Sequence, residues 1–141
     1  WGTADKFPIV ATTYRVCEHW QAGGMSRWLE WLAEAQPDMF IELSVQLAEE
    51  KGISNGEKVK IRSARGEIEA VAIVTKRFKP FQVNGKTVHQ VGMPWHFGWG
   101  GGGELEALAK GDTVNDLTPH VGCANTTIPE YKAFLVDVVK A

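Results

Sequence analysis

The sequence predicts a mainly β protein: a closed β-barrel decorated by helices. Two observations carry that expectation. Short strand patterns recur along the chain, with clean polar–apolar alternation over Lys58-Val-Lys-Ile-Arg-Ser63 and Glu67-Ile-Glu-Ala-Val-Ala-Ile-Val-Thr75. Few strand–helix–strand units accompany them, and no internal repeat is found, which argues against a doubly wound parallel sheet. With 141 residues, 44% of them hydrophobic, the chain is long enough for one domain with a real core, expected to span 1–141.

Taken in order, residues 7–12 (Phe7-Pro-Ile-Val-Ala-Thr12) are apolar and β-branched and read as a buried strand. Ser26 to Ala35 reads as a helix, with Ser26 as N-cap, Trp28, Leu32 and Ala35 on one packing face with Trp31 nearby, and Pro37 as the stop. Phe40 to Leu43 is a short strand. Ser44 then caps a second helix, Val45 to Lys51, closed by Gly52 with Ile53 behind it. The two alternating strands meet at a turn, Ala64-Arg65-Gly66. Asn84-Gly85 between Phe81-Gln-Val83 and Lys86-Thr-Val-His89 is a strong hairpin signal. Val91 to Trp95 is another strand, and Gly98-Trp-Gly-Gly-Gly-Gly103 is too glycine-rich for regular structure. Glu104 to Lys110 reads as a short helix and Phe134 to Val139 as the last strand, about seven strands and two or three helices in all.

Charge and composition narrow the function. Fifteen Lys and Arg against 17 Asp and Glu give a formal net charge of -2. No global positive field recruits nucleic acid or an anionic membrane, so an anion must be held by local donors. No apolar run reaches membrane-spanning length, so no direct membrane insertion is expected. Cys17 and Cys123 are too few and too far apart for a disulfide framework. Cys17, His19, His89, His96, His120 and Cys123 could ligate metal, but no pair has zinc-like spacing and no metal site is expected. No serine or cysteine sits in a nucleophile elbow, so no catalytic residue is expected within the segment. The chain opens at Trp1-Gly2-Thr3 without Met and reads as part of something longer.

The stretch Thr13-Tyr-Arg-Val-Cys-Glu-His-Trp-Gln-Ala-Gly-Gly-Met-Ser26 is the most informative one. It joins a strand to a helix and concentrates a guanidinium, an imidazole, hydroxyls and paired glycines, the parts of a cradle for an extended anion. By itself it reads first as a strand, a polar turn and a helix with no ligand. Read with Val114-Asn-Asp-Leu-Thr-Pro119 and Ile128-Pro-Glu-Tyr-Lys-Ala-Phe-Leu-Val136, it resembles, in order and spacing, the C-terminal domain of molybdopterin-dinucleotide oxidoreductases, the dimethyl sulfoxide reductase family. Gly56-x-x-Val59, Ser63-x-Arg65-Gly66 and Val74-Thr-Lys-Arg77 are similar to that domain too. The hairpin insert around Asn84-Gly85, Gly92-Met-Pro-Trp-His-Phe-Gly-Trp99 and Thr118-Pro-x-Val-Gly-x-x-Asn125-Thr126 look most like the catalytic alpha subunit of formate dehydrogenases.

The resemblance implies a double-psi β-barrel that closes over the dinucleotide arms of a bis-(molybdopterin guanine dinucleotide) cofactor. Its molybdenum or tungsten would be ligated outside this segment. The nucleotide-side loop would fall on Thr13, Tyr14, Arg15, Val16, Cys17, Glu18, His19, Trp20, Gln21 and Ala22. The cofactor-binding asparagine would be Asn115, the lysine after Pro-Glu-Tyr would be Lys132, and the aromatic near the substrate channel would be Trp95. The run Gly100 to Gly103 with Glu104 to Ala109 is longer than relatives need. The implied whole is a formate dehydrogenase, oxidising formate to CO2 by two electrons, with a 4Fe-4S cluster elsewhere in the subunit. Its other domains and an iron–sulfur electron-transfer subunit would be the partners, in a periplasmic or membrane-associated setting.

The residue chemistry is compatible with that assignment. Arginine's planar fork suits bidentate phosphate contact, and Lys132 would act as a movable point charge. The Thr12 and Thr13 hydroxyls and the Gly23 and Gly24 amides are further donor candidates, and His19 is another. Asn115 can donate and accept at once, while Glu18 or Asp116 could accept from a guanine edge. Trp95, His96, Phe97 and Trp99 form an aromatic cluster, with Phe97 expected in the core. Two rivals remain at this level: the same domain in a nitrate or other oxyanion reductase, and a stand-alone barrel binding single-stranded nucleic acid on its tryptophans. Scattered Lys and Arg and the acidic balance count against the second.

Overall fold

The computed structural model describes residues 2–98 and 111–141. Eight strands are seen among the described residues: β1 (Ile9–Tyr14), β2 (Phe40–Ser44), β3 (Lys58–Arg62), β4 (Glu67–Thr75), β5 (Phe81–Val83), β6 (Lys86–Val88), β7 (Gln90–Pro94) and β8 (Phe134–Lys140). Two helices, α1 (Glu30–Ala35) and α2 (Val45–Lys51), and a 3-10 turn at Val114–Asp116 accompany them. Trp99, the glycine run and the helix expected over 104–110 lie outside the described residues.

Six strands close into a barrel in the order β1-β7-β2-β4-β3-β8, and β5 and β6 pair alone outside it. Two pairs are parallel, β1 with β7 and β2 with β4; the other four contacts are antiparallel. Each parallel strand thus has an antiparallel neighbour on its other side. The arrangement fits the double-psi barrel and leaves no open edge to the sheet.

Period-two burial explains why these segments became strands. Ile9, Ala11 and Thr13 face inward from β1; Val59 and Ile61 face inward from β3, and Phe134, Val136 and Val138 from β8. β2 is buried at all five positions. α2 sits over the barrel through Leu47 and Ala48. Ser44 Oγ accepts from Leu47 N at 3.1 Å, and Gly52 closes the helix in the left-handed conformation at φ 64°, as the sequence predicts. The hairpin turn has positive φ at both Asn84 and Gly85, the type I′ signature.

Two expectations need correction. The first strand runs two residues further than predicted, because its parallel register with β7 continues to Tyr14 opposite Pro94. Thr13 and Tyr14 therefore belong to a strand end, not to a loop. The first helix is shorter than predicted and Ser26 does not cap it. The Ser26 hydroxyl instead accepts from Trp20 N at 2.8 Å and meets His19 Nδ1 at 3.3 Å, so it braces the preceding loop. α1 has no buried residue, and Trp28 and Trp31 are 45% and 76% exposed.

Candidate functional site

Barrel closure brings Thr13, at the end of β1, against the segment that leads into β8. Thr13 Oγ1 donates to Tyr131 O at 3.0 Å. Lys132 Nζ donates to Thr13 O at 2.5 Å and lies 3.2 Å from its hydroxyl. These contacts span 118 and 119 positions of sequence. The lysine's pKa is lowered, first by partial desolvation and then by the neighbouring Arg15. Arg15 in turn lays its guanidinium over the Trp95 ring, 4.6 Å from the centroid.

Trp95 follows β7 and forms one wall of a cavity of about 380 Å³. Thr13, Arg65, Asn115, Asp116, Thr118, His120 and Tyr131 line the rest of it. Arg65, on the turn between β3 and β4, is held by Nη1 donating to Thr118 O at 2.8 Å. Asn115 sits in the 3-10 turn, braced by Thr113, whose Oγ1 accepts from its N–H at 3.4 Å. Its side chain is exposed at the mouth. Gly98 lets the chain after Trp95 pass this turn: at φ 90° a Cβ there would lie 2.2 Å from the Thr113 Cβ.

On the far side of Arg15 a wider cleft, about 690 Å³, is lined by Tyr14, Val16, Cys17, Glu18, Gln36 and Arg77. Arg15 thus stands between the two openings. Glu18 faces this cleft and Asp116 faces the first cavity, so the two carboxylates proposed for guanine reading serve different openings. Cys17 is a free, exposed thiol, and Trp20, Gln21 and Ala22 are exposed on the loop crest.

Some expected donors are engaged internally. His19 is 5% exposed, with Nε2 2.8 Å from Gln36 O and Nδ1 beside Ser26 Oγ, so its ring offers no donor to an outside phosphate. Gly23 N donates to Trp20 O at 2.8 Å and is likewise not a free amide. That glycine serves close approach: at φ 84° a Cβ would lie 2.1 Å from His96 O. Phe97 is in the core, as expected. Sequence reasoning missed Arg65 as a cavity residue, although the Ser63-x-Arg65-Gly66 turn was visible. It also left His96 without a specific role, although the residue is wholly buried beside the loop.

The donor set is suited to an extended anion that carries a ring. Arg65 lines the cavity, Arg15 and Lys132 are held against its wall residues Trp95 and Thr13, Asn115 offers an amide able to donate and accept, and Trp95 gives a flat wall. The Trp95 Nε1–H is buried without a hydrogen-bond partner, a group that a bound acceptor would satisfy. Among the described residues no three His, Cys, Asp or Glu gather as a metal site.

Comparisons with known proteins agree with this picture. Residues 9–135 match the family model described as the molydopterin dinucleotide binding domain. The chain is 52% identical over 138 residues to the formate dehydrogenase subunit alpha of Megalodesulfovibrio gigas, covering 96% of this chain and 13% of that protein. It is 49% identical over 140 residues to the nitrate-inducible formate dehydrogenase major subunit of Escherichia coli K12, covering 99% of this chain and 13% of that one. In fold it is similar to acetylene hydratase from Pelobacter acetylenicus, with a TM-score of 0.74 at 14% identity over 98% of this chain and 19% of the other.

Proposed function

We propose, for a chain that belongs to the molydopterin dinucleotide binding domain family, that it grips the nucleotide arms of a bis-(molybdopterin guanine dinucleotide) cofactor. It does so as the C-terminal part of a formate dehydrogenase catalytic subunit. The chain is homologous to formate dehydrogenase alpha subunits and spans about 13% of their length. The observation that supports the proposal is that Thr13, Trp95 and Asn115 line one cavity, with Lys132 bonded to Thr13 and Arg15 laid over Trp95.

Arg15 lies close enough to Lys132 to disfavour its charge, and a pyrophosphate held by both would turn that repulsion into charge-assisted contacts. Each such contact contributes roughly 1.5–3 kcal/mol. Asn115 and one carboxylate, Asp116 or Glu18, read the mixed donor–acceptor edge of the pterin or guanine ring. Trp95 would offer the ring system a flat, water-excluding wall. The backbone of Val16 to Ala22 forms the outer lip.

When bound, the cofactor with its molybdenum or tungsten supplies the two-electron oxidation of formate to CO2; the residues of this chain bind and orient it. On this reading a 4Fe-4S cluster elsewhere in the subunit, and an iron–sulfur partner subunit, would take the electrons in a periplasmic or membrane-associated enzyme. No described helix is long and apolar enough to cross a membrane.

The test uses the full-length subunit. Acid treatment releases guanine nucleotide, and elemental analysis finds Mo or W. Lys132→Ala and Asn115→Ala each lower the nucleotide retained more than they lower the melting temperature of cofactor-free protein. Unchanged nucleotide content with an equal loss of melting temperature rejects those two assignments.

A further inference from the structure

Two backbone groups of the outer lip, five positions apart, are held by one imidazole. Val16 N–H donates to His96 Nε2 at 2.8 Å, and His96 Nδ1 bonds to Gln21 O. His96 has no solvent exposure. Since Nε2 accepts, the ring proton is on Nδ1, where it donates to the carbonyl; only the neutral ring makes both bonds. Two independent features show that the lip is built around this residue. Gln21 is held at φ 48°, a left-handed state that non-glycine residues adopt uncommonly. Gly23 sits so close that any Cβ would strike the carbonyl of His96 itself.

We propose that His96 is the positioning residue of the cofactor-side lip. It sets the distance between Val16 and Gln21, and through Val16 the direction in which Arg15 leaves β1. This rests on the reading of that lip as the nucleotide-arm contact. His96 touches neither opening, so it acts through the loop. The charged and titratable groups around it are Arg15 and Glu18 on the lip, His19 with its ring centroid 6.1 Å away, and Arg27 over the adjacent Phe97.

Burial lowers the His96 pKa from the ordinary imidazole value; the bond to Gln21 and Glu18 oppose the shift, while His19 and Arg15 add to it. The folded state therefore favours the neutral ring. The clamp's contribution is complete above the ordinary value of about 6.5 and is lost as pH falls through the lowered one. Protonation puts a second N–H on Nε2, facing the N–H of Val16.

The experiment compares the full-length subunit with its His96→Phe and His96→Gln variants from about pH 8 to about pH 5, a range spanning imidazole titration. Two readouts are taken: hydrogen exchange at the Val16 amide, referenced to the core amide of Val59, and guanine nucleotide retained after gel filtration. His96→Phe keeps a planar ring but no bonds. It exchanges Val16 about tenfold faster, the scale of one buried hydrogen bond, and loses nucleotide at every pH. His96→Gln carries a donor and an acceptor that do not titrate, so it recovers retention and flattens the pH profile.

Unchanged Val16 protection and nucleotide content in His96→Phe overturn the proposal, even with a lower melting temperature. Wild-type protein without guanine nucleotide but with fast Val16 exchange in His96→Phe overturns the cofactor reading alone and leaves the clamp supported.

Discussion

At the scale of single residues, the groups around the mouth divide into those that face outward and those that hold the frame. Tyr14 belongs to the second kind, although its position lies in the expected cofactor stretch. Its hydroxyl donates to Glu42 Oε2 at 2.5 Å, and Arg77 pairs with the same carboxylate oxygen. Burial, followed by the bond to Glu42, pushes the phenol pKa far above its ordinary value, so Tyr14 remains a donor throughout the accessible range. The Glu42 side chain is only 8% exposed and is held by that donor together with Arg77. Tyr14→Phe is expected to cost about 1–3 kcal/mol, the range for hydrogen bonds to charged groups and unsatisfied buried partners. Chemical denaturation with an unchanged midpoint would reject that role.

The elements show where local signals suffice and where they do not. α2 forms as predicted because both of its ends are set locally, by the Ser44 hydroxyl and by Gly52. Ser44→Ala is expected to lower stability by about 1 kcal/mol, read as a shifted melting curve. α1 was expected on the same kind of signal, and the signal was misleading. Ser26 has a second use as acceptor for the Trp20 amide six positions earlier, and that fold of the loop onto itself takes the hydroxyl away from the helix. Ser26→Ala should then speed exchange of the Trp20 amide and leave helix content unchanged in far-ultraviolet circular dichroism; lost helix with a protected Trp20 amide would restore the cap. Strand periods were legible for the same reason as α2: inward and outward positions alternate within the segment itself. The extra two residues of β1 were not, since they are paired only through a neighbour near the other end of the barrel sequence.

Across the whole molecule, stability and binding are assigned to different residues. Leu43, with no exposure at the barrel centre, belongs to the core. Leu43→Ala is expected to cost about 2–5 kcal/mol as a cavity in a closed barrel. It should lower the melting temperature of cofactor-free protein strongly, the reverse of the pattern expected for Lys132→Ala. A smaller loss for Leu43→Ala than for Lys132→Ala would place the lysine in the folding framework. The curated relatives extend far beyond the region they share with this chain, which covers 13% of the length of each.

By itself the sequence determined the strand periods, the hairpin turn at Asn84-Gly85, the capped α2 and, through three separated motifs, the family. These signals are carried by neighbouring residues or by fixed spacing along the chain. Only the tertiary structure decided that Arg65 joins the cavity, that His19 and Gly23 turn inward, and that His96 clamps the lip. Those roles depend on which group the fold brings within reach, 17 positions away for His19 and Gln36, 53 for Arg65 and Thr118, and 75 and 80 for His96, and local pattern carries no record of such a partner.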